Sequence, residues 1–122
     1  MANLDQIMDY TADAFTVTED TNAVTRTTGT LDGASVKQYG KVVTINITCH
    51  STSTTAQGAN IFTGVLDEKY RPTAAQTFGF GFNGERSIGF LIGASGNIVI
   101  RNCGSSLPAN AEARVSATYI LS

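Results

Sequence analysis

The chain has 122 residues, a net charge of −2 and an apolar fraction of 42%, values that fit one folded domain and argue against disorder. Charged residues make up only 15%, and Thr, Ser, Asn and 12 Gly take their place, a bias typical of short strands and tight turns and unlike a helical bundle. The basic residues are scattered and no run of about 20 apolar residues exists, so we expect neither a nucleic-acid surface nor a membrane span.

The first thirteen residues predict a short helix. Asn3 suits the N-cap, and Gln6 follows three residues later, as in a capping box. Leu4 and Ile7 begin an apolar stripe, and a helix this short needs a surface to pack on, either its own domain or copies of itself in an oligomer. The segment carries three aspartates and no Lys or Arg, unlike a secretory signal, so we expect synthesis in the cytoplasm with no signal peptide.

From residue 14 onward the apolar period changes to two, and about nine short strands are predicted. The clearest strand runs from Val42 to Ser51, where alternate residues from Val43 to Cys49 are apolar and those between them are polar. A turn is predicted at Leu31–Gly33. We therefore predict an all-β domain over residues 14–122, an antiparallel β-sandwich or barrel that is jelly-roll-like, with residues 1–13 in front of it as a helix and possible trimerisation stub.

The strands predicted at residues 75–82 and 86–92 form a hairpin. Its register decides which face is buried, because a slip of one residue inverts every side chain. Each strand carries large residues on one face: Phe78, Phe80 and Phe82 on the first, and Ile88, Phe90 and Ile92 on the second. A three-residue loop, residues 82–84, pairs Phe78 with Ile88 and unites these faces, whereas a two-residue Asn83-Gly84 turn separates them. We predict the three-residue loop, with a glycine face open to a ligand or to a loop of the same chain.

The sequence carries no catalytic motif, and we expect no enzyme, no cofactor and no metal site. Cys49 and Cys103 lack the spacing of a zinc site or a redox motif, and we expect two free, largely buried thiols. His50 follows Cys49 directly, but adjacent strand residues point to opposite faces, so the two cannot form a thiol–imidazole dyad. The scattered carboxylates are expected to be surface charges.

Four stretches of the chain resemble one family: Met1–Tyr10, Gly40–Ile45, Gly64–Pro72 with its Tyr-Arg-Pro ending, and Gly96–Ile100. They are similar to tail-associated proteins of phages and prophages of Gram-positive bacteria, and to the receptor-binding head domains of those proteins. The resemblance implies a non-enzymatic homotrimer in the tail of a virion, made in the bacterial cytoplasm. Its implied partners are a bacterial cell-surface saccharide and other tail or baseplate proteins.

Two other functions fit the same sequence: a structural virion or tail protein without a ligand, and a bacterial surface adhesin-like jelly roll. For the saccharide site we predict the hairpin tip at Asn83, Glu85 and Arg86, where polar side chains project beyond the sandwich. His50, Tyr70 and Arg71 are further candidates. The competing interpretation is that Asn83 serves the turn and the two charged residues serve solubility.

Overall fold

The computed structural model of the protein describes residues 16–73, 76–83 and 86–121. They form nine strands and one short 3-10 helix, Glu68–Tyr70, which confirms the predicted all-β class. The helix predicted over residues 1–13 lies outside the described residues. The strands are β1 (Val17–Asp20), β2 (Val24–Thr28), β3 (Thr30–Tyr39), β4 (Val42–His50), β5 (Asn60–Leu66), β6 (Gln76–Asn83), β7 (Arg86–Gly93), β8 (Asn97–Asn102) and β9 (Glu112–Ile120).

The strands pair antiparallel in the order β1-β3-β4-β9-β6-β7-β8-β5-β2. Within this order β4 pairs with β9, β5 with β8 and β6 with β7, so the pairs are nested along the chain. The sheet folds over on itself, because β4 also contacts β5 and β7 contacts β9 across the interior. The product is an antiparallel β-sandwich, as the jelly-roll-like pattern predicts.

The core lies between the two halves of the folded sheet. Val43, Ile45, Ile47 and Cys49 of β4 are buried and the residues between them reach the surface, which confirms the predicted alternation. Each large side chain buried in this way contributes about 1.5–3 kcal/mol relative to its exposed state. The largest fully buried side chains are Phe62, Phe90, Ile45, Ile47, Ile61, Leu66, Ile92, Ile98, Ile100, Leu107, Val36 and Val43.

The turn predicted at Leu31–Gly33 is wrong, because β3 runs through it. The register of β3 on β4 shifts between Leu31 and Gly33, so Asp32 is the extra residue of a β-bulge. The chain changes direction earlier, at Gly29, which has φ of 80°. Its missing side chain also makes room for β5, since a Cβ there would lie 3.1 Å from the Cα of Phe62.

The predicted register of the hairpin is also wrong. Asn83 pairs with Arg86, Gly79 with Phe90, and Phe78 with Leu91, so two residues and not three connect the paired strands. The glycines of β6 therefore share the core face with Phe90, and Phe78 is 66% exposed on the other face. The physical reason is space: a Cβ on Gly79 would lie 2.9 Å from Cδ2 of Phe90, so the strand under this ring needs glycine.

Candidate functional site

A shallow groove follows β9 on the outer face of the sandwich, between β4 and β6. The register places Asn46 opposite Ser116 and Thr48 opposite Arg114. Because Ser116 is short and lies on a central strand, the surface dips between its neighbours. Two hollows of about 390 Å³ each adjoin there and share Ser116; we call them together the β9 groove.

The two hollows differ in chemistry. The first is lined by the polar residues Asn46, Thr48, Arg114 and Ser116, together with Ile47, Gly81 and Val115. The second is lined by Phe78, Gly79, Ser116, Ala117 and Thr118. One end of the groove therefore offers an amide, hydroxyls and a guanidinium, and the other end offers an aromatic ring.

Arg114 is the positive charge of the groove. Its Nε donates to Oε1 of Glu112 at 2.6 Å, and both side chains are exposed, so the pair adds little to stability. The terminal nitrogens of the guanidinium have no partner among the described residues. These N–H groups could therefore reach an anionic or hydroxyl-rich ligand.

Phe78 is unusual in being a large aromatic residue that the fold leaves 66% exposed. It lies beside Thr118, whose Oγ1 is 3.0 Å from Oγ1 of Thr44 on the next strand. Both threonines belong to paired strands at the middle of the sheet, so their hydroxyls have little freedom to move. An exposed ring beside fixed hydroxyl groups is suited to binding a ligand that has both an apolar face and polar groups.

Three of the residues that the sequence proposes as ligand-binding lie near the Glu112 end of β9. The side-chain amide of Asn83 donates to the carbonyl of Glu112, and Nε of Arg86 donates to the carbonyl of Ser106 at 3.2 Å. Nδ1 of His50 lies 2.8 Å from Oδ2 of Asp32. Each of these groups thus holds a neighbouring part of the chain. Glu85 lies outside the described residues.

Tyr70 and Arg71 lie near the other end of β9. Tyr70 is buried, its hydroxyl donates to Oδ2 of Asp20 at 3.0 Å, and its carbonyl accepts from the Tyr119 hydroxyl at 2.6 Å. Burial raises the pKa of Tyr119 to about 12. Arg71 donates through Nε to the carbonyl of Leu66 at 3.0 Å. Both side chains are therefore engaged in holding the 3-10 helix against the sandwich.

The structure does not bring the five proposed residues that it describes into one site; they are His50, Tyr70, Arg71, Asn83 and Arg86. Asn83 contacts Glu112, and Tyr70 contacts Tyr119. Glu112 and Tyr119 are seven residues apart on β9, a separation on the order of 20 Å along a strand. The β9 groove lies between them and was missed by sequence reasoning. Alternation does identify Asn46 and Thr48 as surface residues, but nothing local indicates that β9 is their neighbour.

The cysteines differ from the expectation in one respect. Both thiols are free, as predicted, and Cys49 is buried on the core face, away from His50. Cys103, however, is exposed, because it follows β8 where the chain leaves the sheet. Burial raises the pKa of Cys49 to about 12, with the charges of Asp32 and Glu112 adding to the effect.

Comparison of the sequence with models of protein families and with curated proteins gives no match. Among the described residues, no group of three or more His, Cys, Asp or Glu side chains is placed to hold a metal ion. The described residues also contain no helix of the length and apolarity needed to cross a membrane. What the protein binds is therefore inferred from the β9 groove and from the sequence resemblance.

Proposed function

We propose that this protein is a saccharide-binding adhesion domain of the kind that forms receptor-binding heads in phage and prophage tails. The observation that carries the proposal is the exposed ring of Phe78 in a groove that continues into the polar side chains of Asn46, Ser116 and Arg114. The resemblance of Gly40–Ile45, Gly64–Pro72 and Gly96–Ile100 to such heads, and of Met1–Tyr10 to the start of tail-associated proteins, supports the same class. The ligand would be a saccharide of a bacterial cell surface, and the protein would work as part of a virion.

A sugar ring presents an apolar face of C–H groups and a rim of hydroxyls, and the groove offers a counterpart to each. The C–H face would stack on the ring of Phe78, as aromatic side chains provide large contact area with few freely rotating bonds. The hydroxyls would exchange hydrogen bonds with Asn46 and Ser116. Arg114 would bind a carboxylate or phosphate on an acidic wall polymer with a charge-assisted bond.

A site of this shape on a flat sheet would bind a single sugar weakly. Weak sites reach useful strength when several act at once, because the second contact is made at high effective concentration. A homotrimer, as the resemblance implies, would present three grooves on one particle. The proposal therefore expects weak binding to a monosaccharide and strong adsorption to a surface that repeats it.

The test is binding of the purified protein to wall polysaccharide or to a glycan array. Arg114→Ala should weaken binding to an acidic polymer by about 10- to 100-fold, as expected for loss of a charge-assisted hydrogen bond. Phe78→Ala should weaken it by about three- to tenfold. Arg101→Ala is the matched control, since Arg101 is an exposed strand arginine that also donates through Nε to one side chain, at 3.3 Å, and lies on β8.

Three outcomes are decisive for the groove. Loss of binding in the two groove variants but not in Arg101→Ala would support it. Equal loss of binding in Arg114→Ala, Phe78→Ala and Arg101→Ala would contradict it, because the effect would then follow from overall charge or stability. No binding to any bacterial saccharide would contradict adhesion and favour a structural virion protein without a ligand.

A further inference from the structure

Four exposed apolar residues stand side by side in a row across four strands. Val17 of β1 pairs with Tyr39 of β3, Tyr39 pairs with Val42 of β4, and Val42 pairs with Ile120 of β9. Directly paired residues of an antiparallel sheet share a face, so the four lie on one surface. We call this set the apolar row. It lies on the same outer face as the β9 groove, at the end of the sheet beside the β3–β4 turn.

The exposure of the apolar row is large for residues of this type. Val17 is 58% exposed, Tyr39 39%, Val42 38% and Ile120 69%. Together they expose an area on the order of 400 Å², comparable to the largest apolar patch of an ordinary monomer. Scattered apolar residues on a surface need no explanation, but a continuous row across four strands does.

On the face of the apolar row, the next pair of residues from β1 and β3 carries two opposite charges. Glu19 pairs with Lys37 in the register, yet Lys37 forms no salt bridge with any described residue, and Glu19 accepts instead from the Ser35 hydroxyl at 2.9 Å. A surface that carries one negative and one positive side chain beside an apolar row is complementary to a copy of itself. When two such faces meet about a twofold axis, Lys37 can reach the partner's Glu19 while the apolar rows stay in contact.

We propose that a second copy of this chain docks on the apolar row. The row supplies roughly 400 Å² of the about 800 Å² that each partner of a stable interface buries, and the flanking charged pair supplies part of the rest. The proposal concerns how copies meet and does not depend on what the β9 groove binds.

The first test measures the mass of the full chain at micromolar concentration by sedimentation and light scattering, with no saccharide present. The parent protein should be an oligomer, and Val42→Glu should weaken its association at least tenfold while its circular dichroism stays that of the parent. Val65→Glu is the matched control, because Val65 is also a strand valine that is 38% exposed but lies on β5 in the other half of the sheet. This control should associate like the parent.

A second test uses charge exchange, which leaves the core untouched. Lys37→Glu and Glu19→Lys should each weaken association several-fold, and the double variant should regain it, because each copy then offers the reversed pair to its partner. A double variant that associates no better than the single variants would overturn the face-to-face contact.

Other results of the association measurements would overturn docking on the apolar row. Association that survives Val42→Glu, or that Val65→Glu weakens as strongly, would overturn the proposal, since the contact would then lie elsewhere. A monomeric parent would overturn it as well. If that monomer were destabilised by Val42→Glu but not by Val65→Glu, the row would be packed against another part of the same chain.

Discussion

The two cysteines of this chain have different surroundings, and their reactivity should differ accordingly. Cys49 lies on the core face of β4 with no exposed surface, and burial raises the pKa of its thiol to about 12. At about pH 8 only on the order of 10⁻⁴ of such a thiol is ionised, and the thiolate is the reactive form. Cys103 is exposed after β8, where a reagent in solution can reach its sulfur.

We therefore expect one fast-reacting thiol per chain in the folded protein and two in denaturant. The measurement is titration with a chromogenic disulfide reagent at about pH 8, where free thiolates react readily. Cys103→Ser should remove the fast reaction and leave a protein that reacts only as it unfolds. Equally fast reaction of both thiols in the folded protein would contradict the buried position of Cys49.

At the level of the strand, the hairpin of β6 and β7 depends on glycine at the core face. A Cβ on Gly79 would lie 2.8 Å from Cβ of Ala117 and 2.9 Å from Cδ2 of Phe90, and real Cβ atoms are not found so close to their neighbours. Gly79→Ala should therefore destabilise the protein by about 1–3 kcal/mol, as is typical of overpacking a dense core. Denaturant unfolding measures this difference as a shift of the midpoint.

Gly33→Ala is the control for that substitution. Gly33 also lies in a strand, has no positive φ, and has no atom within 4 Å of the Cβ that alanine would add. Its replacement should change stability by less than about 0.5 kcal/mol. Equal effects of the two substitutions would contradict the observed register, because in the alternative register the face of Gly79 is the open one.

The same hairpin shows which buried faces can be predicted from the sequence and which cannot. The alternation of β4 and β9 identifies their buried faces correctly, because each strand there carries one apolar and one polar set. On β6 the large and small residues also alternate, but Phe78 faces outward and Gly79 inward. Local pattern alone fails there because the volume above Gly79 is filled by Phe90 and by β9, which is more than 30 residues away in the chain.

The candidate site is less predictable than the fold for a related reason. Asn46 and Thr48 are recognisable as surface residues, yet the groove exists only because Ser116 and Arg114 pair beside them in the sheet. The polar residues chosen from the sequence, such as Tyr70, instead hold loops in place. Sequence identifies which side chains are polar, and long-range strand pairing decides which of them share a surface.

At the scale of the whole molecule, Asp20 links the sheet edge to the connection between β5 and β6. Its carboxylate accepts from the backbone N–H of Asn22 at 2.8 Å and from the Tyr70 hydroxyl at 3.0 Å, and Nζ of Lys69 lies 3.6 Å away. The bond from Asn22, then that from Tyr70, and then the charge of Lys69 lower the pKa of Asp20 below its ordinary value of 3.8. Burial, and then the same contact with Asp20, raises the pKa of Tyr70.

This lowered pKa predicts how stability changes with acid. Below pH 3.8 the unfolded carboxyl binds a proton before the folded one does, so the stabilisation from Asp20 is full above that pH and is lost as pH falls through the folded pKa. Asp20→Asn should therefore lower the free energy of unfolding at neutral pH, and its difference from the parent should shrink as the pH approaches the folded pKa.

The measurement is urea unfolding of both proteins across the acid range, with Tyr70→Phe as the partner variant. Tyr70→Phe keeps the carboxylate but removes one of its donors, so its pH dependence should fall between those of the parent and Asp20→Asn. A difference between the parent and Asp20→Asn that stays constant down to the acid limit would contradict the link. The side chain would then contribute through shape alone, and the sheet edge would be held to the 3-10 helix by the packing of Tyr70 and by the bond from Tyr119 to its carbonyl.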